Sequence, residues 1–302
     1  MRAPIPLRSI AYGKALLWAL YPALFLFVGP GHAQTPDVFR AEYMIMPSNR
    51  LHVETIRYKG VLNLPIRVGK TDFLILGGEY NKFRFGLPAN LIPNPEELEH
   101  FHVADINLAY VHQWNKDWRL IAAVTPRWAS NFTQGTQRED FVVNFTAGAL
   151  TDRKDLEKPY LLVLGLSYNA TAPVRVPLPV VYFEKRFHPK WAYILGVPKT
   201  GLKYFTKKNH FFQTEFFLDG YYVNVQNDIL LGNNGLATDV SSVSLLWAAG
   251  YQYKFTKEMS VYLMAGHTIF QNGVLRDGDR SANFTLNDGP SLYLRTGFRI
   301  GI

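Results

Sequence analysis

The stretch Ser291-Leu-Tyr-Leu-Arg-Thr-Gly-Phe-Arg-Ile-Gly-Ile302 alternates without a break. Leu292, Leu294, Thr296, Phe298, Ile300 and Ile302 fall on one side of an extended chain, because successive side chains of a strand point to opposite faces. Ser291, Tyr293, Arg295, Gly297, Arg299 and Gly301 fall on the other. One side suits hydrocarbon; the other suits water or a polar interior. The same period of two sets Val243, Leu245, Trp247, Ala249, Tyr251, Tyr253 and Phe255 against Ser242, Ser244, Leu246, Ala248, Gly250, Gln252 and Lys254. It returns in Ile56, Tyr58, Leu62, Leu64 and Ile66 against Thr55, Arg57, Lys59, Asn63 and Arg67. One such strand also fits a soluble sandwich. Many long ones in succession, with glycine on the inner face and aromatics at the outer ends, predict an all-β chain: a transmembrane, antiparallel, up-and-down β-barrel of the outer-membrane kind.

The first 33 residues read differently. Arg2, Arg8 and Lys14 form a positive region, Ala15 to Gly29 an apolar core, and Gly31-His32-Ala33 a small-x-Ala cleavage site, the three parts of a secretory signal peptide. The apolar core is shorter than the ~20 residues of a spanning helix, and Pro22 and Pro30 interrupt or end it, so an uncleaved anchor fits less well. Residues 34–302 form the barrel domain on this reading, and N-terminal sequencing of protein extracted from outer membranes is expected to start at or near Gln34. A chain beginning at Met1 would contradict the leader, and recovery in the soluble periplasm would contradict the outer-membrane barrel.

Composition narrows the classes. The sequence has no cysteine, which rules out a lipoprotein and argues against a disulfide-stapled secreted domain. Residues 34–302 hold no long uncharged apolar run, which excludes a helical membrane protein but not a barrel. The formal charge of +8 falls to +5 without the leader's three basic residues, and the excess is scattered rather than gathered in the stripe a nucleic-acid binder shows. No nucleic acid and no cofactor are expected. The partners to expect are outer-membrane lipid, the barrel-assembly machinery during insertion, and an unidentified small solute.

Short polar turns follow an aromatic residue at Trp114-Asn-Lys-Asp117, Phe187-His-Pro-Lys190, Phe205-Thr-Lys-Lys208 and Phe255-Thr-Lys-Glu258, as at one rim of a barrel with its aromatic girdle. The remaining connections, including 86–100, 131–139, 226–239 and 271–289, are longer. With the short turns in the periplasm both termini lie there, and the strand number is even. The pattern predicts fourteen strands near residues 38–46, 53–67, 72–85, 101–113, 118–129, 140–150, 160–169, 178–187, 191–197, 201–206, 210–224, 241–255, 259–270 and 291–302. Losing the short 201–206 segment with a neighbour leaves twelve.

Three stretches, FHVADINLAYVHQWNKDWRLIAAVTPRW (101–128), PLPVVYFEKRFHPKWAYILGVPKTGLKYF (177–205) and SLYLRTGFRIGI (291–302), resemble an uncharacterised family of Gram-negative outer-membrane barrels classed as a domain of unknown function. The resemblance implies fold and membrane, and brings no activity with it. It spans nearly all of 34–302. Ile302 departs from the Phe or Trp that ends most such chains, yet keeps an apolar terminal residue for insertion.

Barrel lipases and acyltransferases need a nucleophilic Ser beside a His and an orienting group. His267 is the best local candidate, but Thr268 falls on the opposite strand face, so His267 reads as an interface residue. His100 and His102 share a face and, with Glu97 or Glu99, have metal-ligand spacing; they read as solvated loop-edge residues. Asn131, Asn144, Asn169 and Asn283 match the glycosylation acceptor pattern and read as structural. The functional content lies in inward charges. Arg57, Arg67, Arg119, Arg127, Arg295 and Arg299 are expected to face the lumen with Asp105, Glu215 and Asp219. Of these Arg57, Arg127, Arg295, Arg299, Glu215 and Asp219 are the candidate lumen-lining binding residues. Such charges must be solvated or paired. A wet lumen implies a small pore, anion-preferring from its arginine excess, and a paired one a filled barrel. A lipid-modifying enzyme and a structural or surface-binding barrel are the competing readings.

Overall fold

The computed structural model describes residues 37–47, 53–87, 95–170, 176–207, 209–231 and 235–301. The proposed leader, the start at Gln34 and the terminal Ile302 lie outside them.

The strands are β1 (Asp37–Met46), β2 (Glu54–Val68), β3 (Asp72–Gly86), β4 (His100–Gln113), β5 (Arg119–Ser130), β6 (Phe141–Arg153), β7 (Tyr160–Tyr168) and β8 (Leu178–His188), followed by β9 (Trp191–Val197), β10 (Lys199–Lys207), β11 (His210–Leu230), β12 (Leu236–Lys254), β13 (Met259–Arg276), β14 (Ala282–Asn287) and β15 (Leu292–Gly301). One helical turn, Pro95–Leu98, precedes β4. Each strand from β1 to β13 pairs antiparallel with the next. β15 pairs with both β13 and β1, which closes the sheet. The wall therefore has fourteen strands, and β14 is a short addition to the outer end of β13. Closure removes the unpaired edge that hydrocarbon would not tolerate.

The segment at 201–206 is a true wall strand, paired on both sides as β10, so the twelve-stranded alternative falls. The regions 226–239 and 271–289, expected as loops, carry strand instead: β11 runs to Leu230, β12 starts at Leu236, and β13 reaches Arg276. Their polar residues are satisfied locally. Gln226 donates to Asp140 at 2.8 Å and Asn227 to Glu97 at 3.0 Å.

Alternation sorts the side chains as the sequence predicts. Tyr58, Leu62, Leu64, Ile66, Trp247, Tyr251, Leu292 and Leu294 are exposed on the outer face, while Arg57, Lys59, Leu246, Ala248, Gln252, Tyr293 and Arg299 are buried inside. An outward apolar band around inward polar groups is the arrangement a bilayer demands of a barrel. Three turn aromatics, Trp114, Phe187 and Phe255, stand exposed. Phe205 is a correction: its register partner is Phe211, the two rings meet edge to face at 5.1 Å, and the Arg186 guanidinium lies 4.6 Å from its centroid, on the lumen side of the rim.

The lumen is not evenly filled. Past its last pairing with β10, β11 leans inward until Asn224 meets Ser130 of β5 in a parallel bridge. Phe83, Phe85, Leu98, Phe101, Val103, Val223, Val225, Ile229, Val240 and Leu275 pack there into an apolar core at the long-loop end. A second core joins Met44, Phe217, Leu246, Met264, Tyr262 and Tyr293 deeper in the barrel. Both cores bind β11–β13 to β1–β4 and β15, and Val180, Glu184, Ala192 and Ile194 are buried on β8–β9, which leaves the less filled interior along β5–β7.

Candidate functional site

Between the two cores and the short-turn rim, charged residues tie opposite walls together. Arg57 of β2 donates both terminal nitrogens to Asp219 of β11, each at 2.9 Å. Arg295 of β15 reaches Glu215 of β11 at 3.3 Å and Glu42 of β1 at 4.0 Å. Glu215 also pairs with Lys199 of β10, and Glu42 with Arg40 at 3.9 Å and with the Tyr262 hydroxyl. Asp37 holds Arg299 at 3.0 Å and Arg40 at 3.8 Å. The result is a continuous chain from Lys199 to Arg299. Arg295 also lies 5.1 Å from the centroid of Phe217 and 5.8 Å from that of Tyr293, so aromatic faces share its charge.

The other pairs are local. Lys59 meets Glu79 at 2.6 Å, Arg127 grips Asp105 through two 2.7 Å bonds, and Lys203 meets Glu184 at 2.8 Å across β9. A buried ion left alone costs several kcal/mol, so an interior this rich in charge folds only because partners stand at register positions that face one another.

Four of the candidate residues, Arg57, Asp219, Arg295 and Glu215, come together across the lumen. Arg299 stands at the end of the same chain of pairs, and Arg127 is apart on the β4–β5 wall. Arg67 and Arg119 do not reach the lumen. Both are exposed at the short-turn rim, Arg67 bonded to the Lys70 carbonyl and Arg119 to the Gln113 side chain at 2.9 Å. Sequence reading missed Asp37, Arg40, Glu42, Glu79, Glu184, Lys199 and Lys203. Lys59 had been placed on the inner face but not counted among its charges. The signal was there in principle for all but Asp37, since each of the others falls on the inward parity of its strand; Asp37 is odd on β1 and turns inward at a register shift before Phe39. The paired set is eight cations against seven carboxylates, so six arginines to three acids misstates the balance.

The rest of the interior is lined differently. Ile121, Ala123 and Thr125 of β5, Val142, Asn144, Thr146 and Gly148 of β6, and Val163 and Gly165 of β7 share the inward parity, and none is fully buried. Water therefore reaches the inner face on this side. At its outer end lies a cavity of about 510 Å³ between the β5–β6 connection, β11, β12 and Arg280.

His267 faces outward, edge to face with Trp247 at 5.8 Å, and Thr268 is buried on the other side. His102 is likewise outward, bonded to the Tyr80 hydroxyl at 2.6 Å, and His100 is exposed beside Glu99 at 3.6 Å. Among the described residues no group of three or more His, Cys, Asp or Glu is placed to hold a metal ion. Asn131, Asn144 and Asn283 make structural hydrogen bonds to Glu97, Ala170 and Leu236.

Residues 71–301 match a family model described as "Domain of unknown function (DUF6268)". No curated protein sequence matches the chain. Solved structures similar to it include the KdgM porin in complex with disordered oligogalacturonate, at 9% identity and TM-score 0.35, covering 87% of this chain and 99% of that one. LpxR from Salmonella typhimurium is similar at 8% identity and TM-score 0.36, covering 87% and 100%. The outer membrane phospholipase A from Escherichia coli is similar at 10% identity and TM-score 0.31, covering 93% and 96%.

Proposed function

The chain belongs to this family of unknown function, and for its barrel we propose a narrow channel that passes a small polar or amphipathic solute along the β5–β7 side of the lumen. The observation that carries this reading is the contrast between the two inner faces. Toward β11–β15 and β1–β3 the inward side chains are buried in ion pairs and apolar packing; along β5–β7 most of them, among them Ala123, Thr125, Asn144, Thr146 and Val163, keep partly exposed surface. A barrel filled only for stability has no need of that asymmetry.

Planar-bilayer recording tests it. The refolded protein is expected to give discrete conductance steps. Thr146→Trp, on the inner face of β6, is expected to lower the unitary conductance, while Leu164→Trp on the outer face leaves it unchanged. Because Arg57, Arg127 and Arg295 each face a carboxylate, the reversal potential under a salt gradient is expected to lie near zero rather than at the anion-selective value that unpaired arginines would give. A silent wild type, or full conductance in Thr146→Trp, would remove the channel reading.

A further inference from the structure

The wall has one low sector. β9 has seven residues and β10 nine, and Pro198 alone joins them at the long-loop end. Seven residues at ~3.3 Å, tilted ~45°, rise about 16 Å, against the ~25 Å apolar band of such barrels and the ~9–11 residues a spanning strand needs. This hairpin ends below the outer edge of the hydrocarbon. Next to it β11 continues thirteen residues beyond Phe217, its last partner on β10, to Leu230. Between Leu218, whose N–H still reaches the Pro198 carbonyl at 3.0 Å, and Asn224, which meets β5, this edge borders no strand among the described residues. The Gly220 N–H turns instead to the Asp219 carboxylate at 2.9 Å.

The other seam at the long-loop end is treated in the opposite way. There the Asn287 side chain accepts from the Val53 N–H at 2.6 Å and donates to its carbonyl at 3.3 Å, joining β14 to the start of β2. Above β9–β10 one side-chain bond, from Arg280 to the Ala170 carbonyl at 3.1 Å, reaches across, and the outer faces of the strands beside the opening carry exposed Leu166, Val181 and Leu195. The cavity of about 510 Å³ borders the same free edge of β11 through Tyr222 and Asn224, with Val142, Asp239 and Arg280 also on its walls.

We propose that this opening is a lateral port, through which a single-chain amphiphile dissolved in the outer leaflet enters the cavity. An opening at the depth of the acyl chains presents apolar margins to an apolar tail. The polar wall there is Asn224, bonded to Asp140 at 2.8 Å, and Arg280, stacked 5.1 Å from the Tyr222 ring centroid and bonded to the Ala170 carbonyl at 3.1 Å, and a polar head would sit against this network. The volume lies in the ~300–1,000 Å³ range of small-molecule sites, enough for one chain or ring system and too little for a lipid of several chains. The onward route rests on the channel reading; entry through the wall does not.

The absence of native cysteine makes single labels clean. Bimane is attached at Val142→Cys, facing the cavity, at Asn107→Cys, facing the lumen on a complete wall, and at Leu164→Cys, facing lipid, in protein refolded into phosphatidylcholine liposomes. The bilayer quencher is stearic acid bearing a doxyl group close to its carboxyl end; the aqueous quencher is iodide. A lateral port predicts doxyl quenching at Val142 close to that at Leu164 and several-fold above that at Asn107. Quenching at Val142 no stronger than at Asn107 would overturn it. Thr238→Cys, on the same cavity, repeats the measurement if Val142→Cys fails to fold. Iodide at Asn107 and Val142 reports separately on a wet lumen, so loss of the iodide effect with retained doxyl quenching removes the channel and keeps the port.

Discussion

Asp219→Ala is expected to destabilise the barrel by ~3–5 kcal/mol, the cost of leaving a buried charge without its partner. Arg57 is 4% exposed, and Asp219 is the one acid within ion-pair distance of it among the described residues. Phe83 lies 5.8 Å away and offers only the weak attraction of a ring face. The guanidinium is nearly shut off from water, sharing a narrow space with Met44, Met46, Phe83 and Leu246. The double substitution Arg57→Leu with Asp219→Leu is expected to cost much less than the single one, since it removes both charges and extends the apolar core around Met44 and Phe217. Urea unfolding from liposomes, followed by tryptophan fluorescence, measures both. Equal losses in the single and double variants would show that Arg57 is solvated and that the pair is no tie across the lumen.

The wall was legible because its rule is local. Alternation along residues 292–302, 243–255 and 56–67 needs only the two-sided geometry of a strand, and short turns after aromatics fix the direction of each hairpin. What crosses the lumen was not legible. Whether Arg57 meets Asp219 depends on how far β11 leans toward β2, which no pattern within either strand records. The inward acids Glu42, Glu79 and Glu184 were passed over beside more prominent arginines, and this turned a balanced interior into an apparently basic one. Arg67 and Arg119 obey the inward parity, yet they sit where the strands reach water, so parity alone does not place a side chain at depth. The long outer halves of β11–β13 were hidden because Gln226, Asn227, Asp277 and their neighbours read as loop, although β11 is held there by contacts with the 131–140 segment.

Leu294→Arg is expected to cost ~2–4 kcal/mol and to lower folding yield sharply, the penalty of a basic side chain on the lipid face near the bilayer midplane. Leu294 is 43% exposed and stands between Ile45 of β1 and Ala265 of β13, with Leu292, Leu263 and Ile269 exposed around it, so the new guanidinium meets only hydrocarbon. The adjacent Arg295→Leu makes the opposite exchange on the opposite face. It removes a cation bonded to Glu215 and close to Glu42, a loss of about 1.5–3 kcal/mol on the scale of hydrogen bonds to charged groups. The loss stops there because neither acid is stranded: Glu215 keeps Lys199, and Glu42 keeps Arg40 and the Tyr262 hydroxyl. Redundant pairing is what separates Arg295 from Arg57, although both bridge the lumen to β11. The expected order of damage is therefore Asp219→Ala, then Leu294→Arg, then Arg295→Leu. Folding yield and unfolding free energy in the same liposomes read that order directly. If Arg295→Leu proved the most damaging of the three, Lys199 and Arg40 would not be holding the acids Arg295 leaves behind, and the chain of pairs from Lys199 to Arg299 would have to be redrawn.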